Sequence, residues 1–184
     1  YDRVRVLTSF GRSALTMKRT GMRLDSPGCS ACSVKQKHSV LLKKAENWFG
    51  ATDGVALLHT IARADGPGAT VPWTAKYIFP GGYIPALSET LAASEKMRLI
   101  HTDIETLRLH YAKTLHHWSE NLENQLHKAA ALVPEKTLRI WRLYLAGCAY
   151  AFQKGWINLH QILAVKPYAD GHHDLPWTRE DLYR

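Results

Sequence analysis

The sequence predicts an α/β fold, with a small sheet covered by helices on both faces. Three observations carry this. Residues 55–61 (VALLHTI) form a short, mostly apolar run of strand length, the pattern of a buried parallel strand. Residues 110–131 set Tyr111, Leu115, Trp118, Leu122 and Leu126 three or four apart, which is one stripe of a helix. Segments of the two kinds then alternate along the chain, as in sheets packed between helices.

The elements follow in order. Residues 41–49 (LLKKAENWF) read as the end of an amphipathic helix, and Thr52-Asp53-Gly54 as a turn. The strand over 55–61 comes next. Residues 62–85 are loop-like, with Gly66-Pro67-Gly68 and Pro80-Gly81-Gly82. Residues 88–96 are expected to be helical, with Ser88 as N-cap. Leu99, His101, Asp103 and Glu105 alternate with Ile100, Thr102, Ile104 and Thr106, which predicts a strand over 99–106. The helix over 110–131 follows. Pro134 then opens a helix carrying Leu138, Trp141, Leu145 and Phe152, which Gly155 can end. Residues 156–166 read as the last strand and 167–184 as an exposed tail.

Charge divides the chain. Residues 1–44 hold ten Lys/Arg and two acids, so the whole formal charge of +8 lies there and the remainder is neutral overall. This first segment shows no sustained period of 2 or 3.6. It is either a solvated end or a basic arm for anionic lipid or nucleic acid. Three cysteines among 184 residues make no disulfide framework, which fits a reducing compartment. There is no apolar run of membrane-spanning length and no signal-peptide core near the start. The chain begins at Tyr1, which suggests a fragment.

Three segments belong together: GVALLHTI (54–61), YIFPGGYIP (77–85) and LRLHYAKTL (107–115). In this order they resemble the cyclopropane-fatty-acyl-phospholipid synthases and their mycolic acid cyclopropane synthase relatives, over residues 45–166. The resemblance implies the C-terminal half of a Rossmann-like methyltransferase fold with inserted helices, its last strand antiparallel to the others. It implies S-adenosylmethionine as methyl donor and methylene transfer to cis double bonds of phospholipid acyl chains. It also implies a bicarbonate ion as the base. Carried over, the bicarbonate ligands are His59, Ile61 through its backbone, and Tyr111. Tyr77, Ile78, Phe79, Gly82 and Tyr83 would form the loop beside the acyl chain. The expected partner is unsaturated phospholipid at the inner face of a membrane, approached from the cytoplasm, with no nucleic acid.

The chemistry calls for such a set. An alkene that takes a sulfonium methyl becomes a carbocation, and a placed base must deprotonate the new methyl before water intervenes. A His and a Tyr can hold an anion by hydrogen bonds. Each residue has a structural alternative. A strand histidine is commonly a satisfied core residue, Tyr111 fits a core-facing helix stripe, and Trp118, Trp141, Tyr144 and Phe152 have core spacing. Cys29-Ser-Ala-Cys32 with His38 is a weak metal or redox signal, since one Cys-x-x-Cys lacks a second pair. Adjacent His116 and His117 do not share a helix face. No metal site is expected.

The resemblance has gaps. The family's glycine-rich cofactor turn is missing, and Gly66-Pro67-Gly68 follows His59 instead of preceding it. Where the family has Gly-Met-Phe-Glu, this chain has Ser30-Ala-Cys-Ser33, which a one-base shift of codons can produce. Residues 1–44 are therefore read either as frameshifted or as diverged. Besides the enzyme, two other functions stay open: an inactive remnant of it, and a basic protein binding membrane or nucleic acid.

Overall fold

The computed structural model describes residues 4–8, as backbone only, together with 54–173 and 175–180. The expected helix over 41–49, the turn before Gly54, Cys29, Cys32 and His38 lie outside the described residues.

A four-stranded sheet organises the chain. Its strands are β1 (Val4–Thr8), β2 (Gly54–Arg63), β5 (Ile100–Thr106) and β6 (Ile157–Lys166), in the order β1-β2-β6-β5. β1 and β2 are parallel, while β6 runs antiparallel to both its neighbours. An antiparallel last strand is what the resemblance implies. β1 falls in the segment without a readable period, because five residues are too few to establish one.

Alternation in β2 sorts its side chains between two cores. Ala56 and Leu58 face one side and join Met97, Leu99, Ile162 and Ala164. Helix α2 (Leu87–Glu95) covers this side with Leu87, Leu91 and Ala93. Ile61 faces the other side with Leu159 of β6. There the helices α3 (Arg108–Asn124) and α5 (Glu135–Lys154) supply Ala112, Leu115, Leu145, Ala149 and Phe152.

Helix α5 starts after Pro134 and ends at Gly155, whose φ of 76° is left-handed, as sequence chemistry predicts. The Arg108 guanidinium donates to the carbonyls of Phe152 and Gln153 at 2.7 and 2.8 Å. It thereby satisfies carbonyls that the end of α5 leaves unpaired and complements the helix dipole. At the other end Arg142 pairs with Glu123. These two contacts fix α3 and α5 as an antiparallel pair.

Three expectations need correction. The helix over 110–131 is two helices, α3 and α4 (Leu126–Leu132), because Gln125 leaves the helical basin with φ −117° and ψ 22°. Leu122 and Leu126 remain half-buried on both sides of the break, so the apolar stripe continues and hides the break in sequence. Ser88 is not the N-cap. The cap is Ala86, held extended after Pro85, and its N–H donates to the Glu89 carboxylate at 3.2 Å. Residues 62–85 are not wholly loop. They contain β3 (Gly68–Ala69) paired with β4 (Tyr83–Ile84), and between them α1 (Pro72–Tyr77). Two-residue strands and a six-residue helix are too short for periodicity to reveal.

Candidate functional site

His59 is the sixth residue of β2, not close to its carboxyl end as the sequence suggests. The antiparallel ladder with β6 extends β2 to Arg63, opposite Ile157. The described residues of β1 pair in parallel with Val55–His59. His59 lies opposite Thr8, in the carboxyl half of the parallel pair β1–β2, the side on which ligands of open α/β sheets gather.

Its ring is half-buried. Gln161, opposite on β6, brings its amide nitrogen to 3.3 Å from His59 Nδ1. An amide N–H donates, so Nδ1 accepts and the proton of the neutral ring sits on Nε2. Burial pushes the His59 pKa below 6.5, which favours that neutral ring.

Ile61 follows on the same face. Leu159 gives its carbonyl to Leu107 N–H at 2.9 Å, so the peptide groups of Leu159 point toward β5. Ile61 lies opposite Leu159, and in an antiparallel ladder its own N–H and C=O must then point away from β6. Arg63, two residues on, agrees, since its N–H reaches Pro85 O at 2.9 Å on that same side. Ile61 therefore turns its N–H toward the β1 side of β2. Thr60 Oγ1 donates to its carbonyl at 3.0 Å.

The Leu107–Leu159 bond also ties the start of α3 to the sheet. Tyr111 comes one turn later, its N–H on Leu107 O at 2.9 Å. Its ring packs edge-on against Phe152 at 4.9 Å and Trp118 at 6.2 Å between centroids. Ile61 and Tyr111 thus border one apolar cluster, and His59 lies on the same sheet face. Phe152 and Gln161 hold these groups in place. Sequence reading counts Phe152 only as core and passes over Gln161, although a polar residue inside an apolar strand is a visible signal.

The loop residues separate. Phe79 packs edge-on against Tyr144 of α5 at 5.9 Å, and Tyr144 against Trp141 at 5.6 Å. Ile78 caps α1, and buried Gly82 gives its carbonyl to Thr70 N–H at 3.2 Å. Tyr77 stacks against Trp73 at 5.6 Å and lines a groove of about 340 Å³ between α1 and the first turns of α5. Tyr83 turns the other way. Its hydroxyl donates to Glu89 of α2 at 2.5 Å, and desolvation with that carboxylate pushes its pKa up to about 12. Tyr77 and Phe79 therefore face α5 while Tyr83 is engaged with α2.

On the opposite sheet face, buried His160 receives or gives a hydrogen bond with Thr106 Oγ1 at 3.1 Å, and burial lowers its pKa as well. Below about pH 6.5 the unfolded chain takes up protons that folded His59 and His160 resist, so stability is lost as pH falls through their lowered values. Above that window neither ring contributes. Denaturant midpoints should drop between about pH 7.5 and about pH 5.5, and less so in His160→Asn. Equal drops in both proteins would show that His160 charges freely in place. Among the described residues no three metal-ligating side chains cluster, and no helix is long and apolar enough to cross a membrane.

An open sheet with an antiparallel last strand and helices on both faces is a partial Rossmann-like fold, which the chain shares with the S-adenosylmethionine-dependent methyltransferases. The family described as mycolic acid cyclopropane synthetase matches residues 32–162, and the chain belongs to that family. The match reaches back to Cys32, into the basic segment. A protein of Pseudomonas putida described as "Probable fatty acid methyltransferase" is 63% identical over 155 residues, covering 80% of this chain and 39% of its own. The solved cyclopropane synthase MmaA2 of Mycobacterium tuberculosis superposes with a TM-score of 0.64 at 31% identity, covering 71% of this chain and 50% of its own. The mycolic acid cyclopropane synthase CmaA1, solved with SAH and CTAB, gives 0.64 at 28% identity, covering 72% and 50%. The chain thus spans half or less of the length of these relatives.

Proposed function

We propose that this chain is part of a methyltransferase that adds a methylene to cis double bonds in phospholipid acyl chains, with S-adenosylmethionine as donor and bicarbonate as base. The observation that carries this reading is the site geometry: Ile61 and Tyr111 border one apolar cluster, with His59 on the same sheet face beside Ile61. The relatives' descriptions support lipid methyl transfer.

The residues suit a small anion. His59 offers its Nε2–H while Gln161 holds Nδ1. The Tyr111 hydroxyl is a second donor, and the Ile61 N–H, turned from β6, is a third. Phe152, Leu159 and Leu115 keep water from their neighbourhood. A bound bicarbonate would accept the proton that the newly added methyl must lose for the ring to close. The donor is another matter. Among the described residues no glycine-rich turn joins a strand to a helix, so these residues do not by themselves fit S-adenosylmethionine.

The test is a chimera. Residues 45–184 are joined to the complete N-terminal half of a related synthase and supplied with S-adenosylmethionine and unsaturated phospholipid vesicles. The acyl chains should gain the mass of one CH₂, with loss of the olefinic proton signals. A folded chimera that leaves the double bonds intact would refute the reading.

A further inference from the structure

We propose that the surface formed by α1, the α4–α5 turn and the first turns of α5 seats on an anionic phospholipid bilayer. This rests on the reading of the chain as part of an acyl-lipid methyltransferase, and it names the surface that meets the lipid.

The apolar groups here are unusually open. Leu132 is 82% exposed, Leu143 64% and Val71 60%. Leu143 lines the groove with Trp73 and Tyr77, while Val71 and Leu132 flank the two elements that form it. Single exposed apolar residues are ordinary, but several around one groove mark an interaction surface. Trp and Tyr at its edge suit the boundary between water and hydrocarbon.

Charge selects the partner. Lys136 and Arg139 line the same groove, and Lys76 Nζ stands 5.1 Å from the Tyr77 ring centroid. Among the described residues no carboxylate is ion-paired with any of the three. Glu135 also lines the groove, but it sits in the first turn of α5, where it complements the helix dipole. A cationic rim around open apolar and aromatic side chains matches lipid phosphates above acyl chains.

The groove is also connected inward. Leu143 and Ile140 of its wall adjoin Tyr144, which touches Phe79 and packs on the cluster bordered by Tyr111 and Ile61. Tyr144 of α5 thus stands between the helix that walls this groove and the cluster at the candidate site.

The experiment uses the full chain with vesicles of phosphatidylglycerol and phosphatidylcholine, and with phosphatidylcholine alone. Binding is followed by sedimentation and by amide exchange. Anionic vesicles should slow exchange in residues 71–78 and 132–143, and added salt should reverse this. Lys136→Glu with Arg139→Glu should raise the lipid concentration for half-binding by roughly tenfold or more. Leu143→Ser should weaken binding without changing its salt dependence. Slowed exchange confined to residues 1–44 would assign the membrane to the basic segment and overturn the proposal. Slowing in 71–78 that grows with protein concentration and needs no lipid would mean a second copy occupies the groove, and would overturn it too. The two readings fail separately: a chimera that methylenates detergent-dispersed lipid but lacks the slowing refutes only the bilayer seat. Vesicle-dependent slowing in a chimera that leaves double bonds intact refutes only the reaction.

Discussion

In the completed chimera, His59→Ala and Tyr111→Phe should each lower the methylenation rate by roughly 10²–10⁴, the range for positioned proton-transfer groups. Neither change should disturb folding. His59 is half-buried with Gln161 as a polar partner, and Tyr111→Phe keeps the ring that packs on Phe152. The loss should fall on kcat more than on KM, because the acyl chain and donor still bind while the proton lacks a placed acceptor. Bicarbonate added to the mutants should not restore the rate, since the missing element is its holder. A product shift is a second readout: a cation that cannot be deprotonated on time is open to water, giving hydroxylated chains. Rates within about twofold of the parent in both mutants would make these residues structural.

Phe152→Ala should cost about 3–5 kcal/mol, the range for emptying a large buried aromatic site. Phe152 is 1% exposed and lies at the centre of the cluster between α3, α5 and β6. Its neighbours are poorly placed to fill the void. Arg108 fixes the α5 terminus by bonds to the carbonyls of Phe152 and Gln153 themselves, and Leu107 fixes the start of α3 to β6. Urea unfolding of the chain gives the number. A loss below about 1 kcal/mol would show that the helix pair collapses freely onto the sheet. In the chimera the same change should also reduce activity, because Tyr111 loses the ring it leans on.

Legibility in the sequence followed the length of each element. β2, β5, β6 and α5 are long enough for a period or a cap to declare them, and Pro134 and Gly155 bound α5 as turn chemistry requires. The break at Gln125 was invisible because it preserves the apolar stripe. β1, β3, β4 and α1 were invisible because five, two, two and six residues hold too little pattern. For the site, residue identity pointed to His59 and Tyr111, but placement came only from pairing. Nothing in the sequence says that His59 lies opposite Thr8 on one side and Gln161 on the other. Nor does it divide Tyr83 from Phe79, which depends on the Glu89 carboxylate accepting from both the Tyr83 hydroxyl and the Ala86 N–H.

The amide of Ile61, turned from β6, makes one part of the proposed site invisible to side-chain mutagenesis. Alanine, valine or leucine at position 61 all keep the N–H, so a scan would score the position as mere packing. Replacing the peptide bond before Ile61 with an ester, by semisynthesis or by incorporation of the hydroxy analogue, removes the one donor and leaves the side chain and the ladder to β6 unchanged. Evolution meets the same blindness in reverse. Many hydrophobic residues serve equally at position 61, so the contribution of this group is written in strand pairing and not in any letter of the sequence.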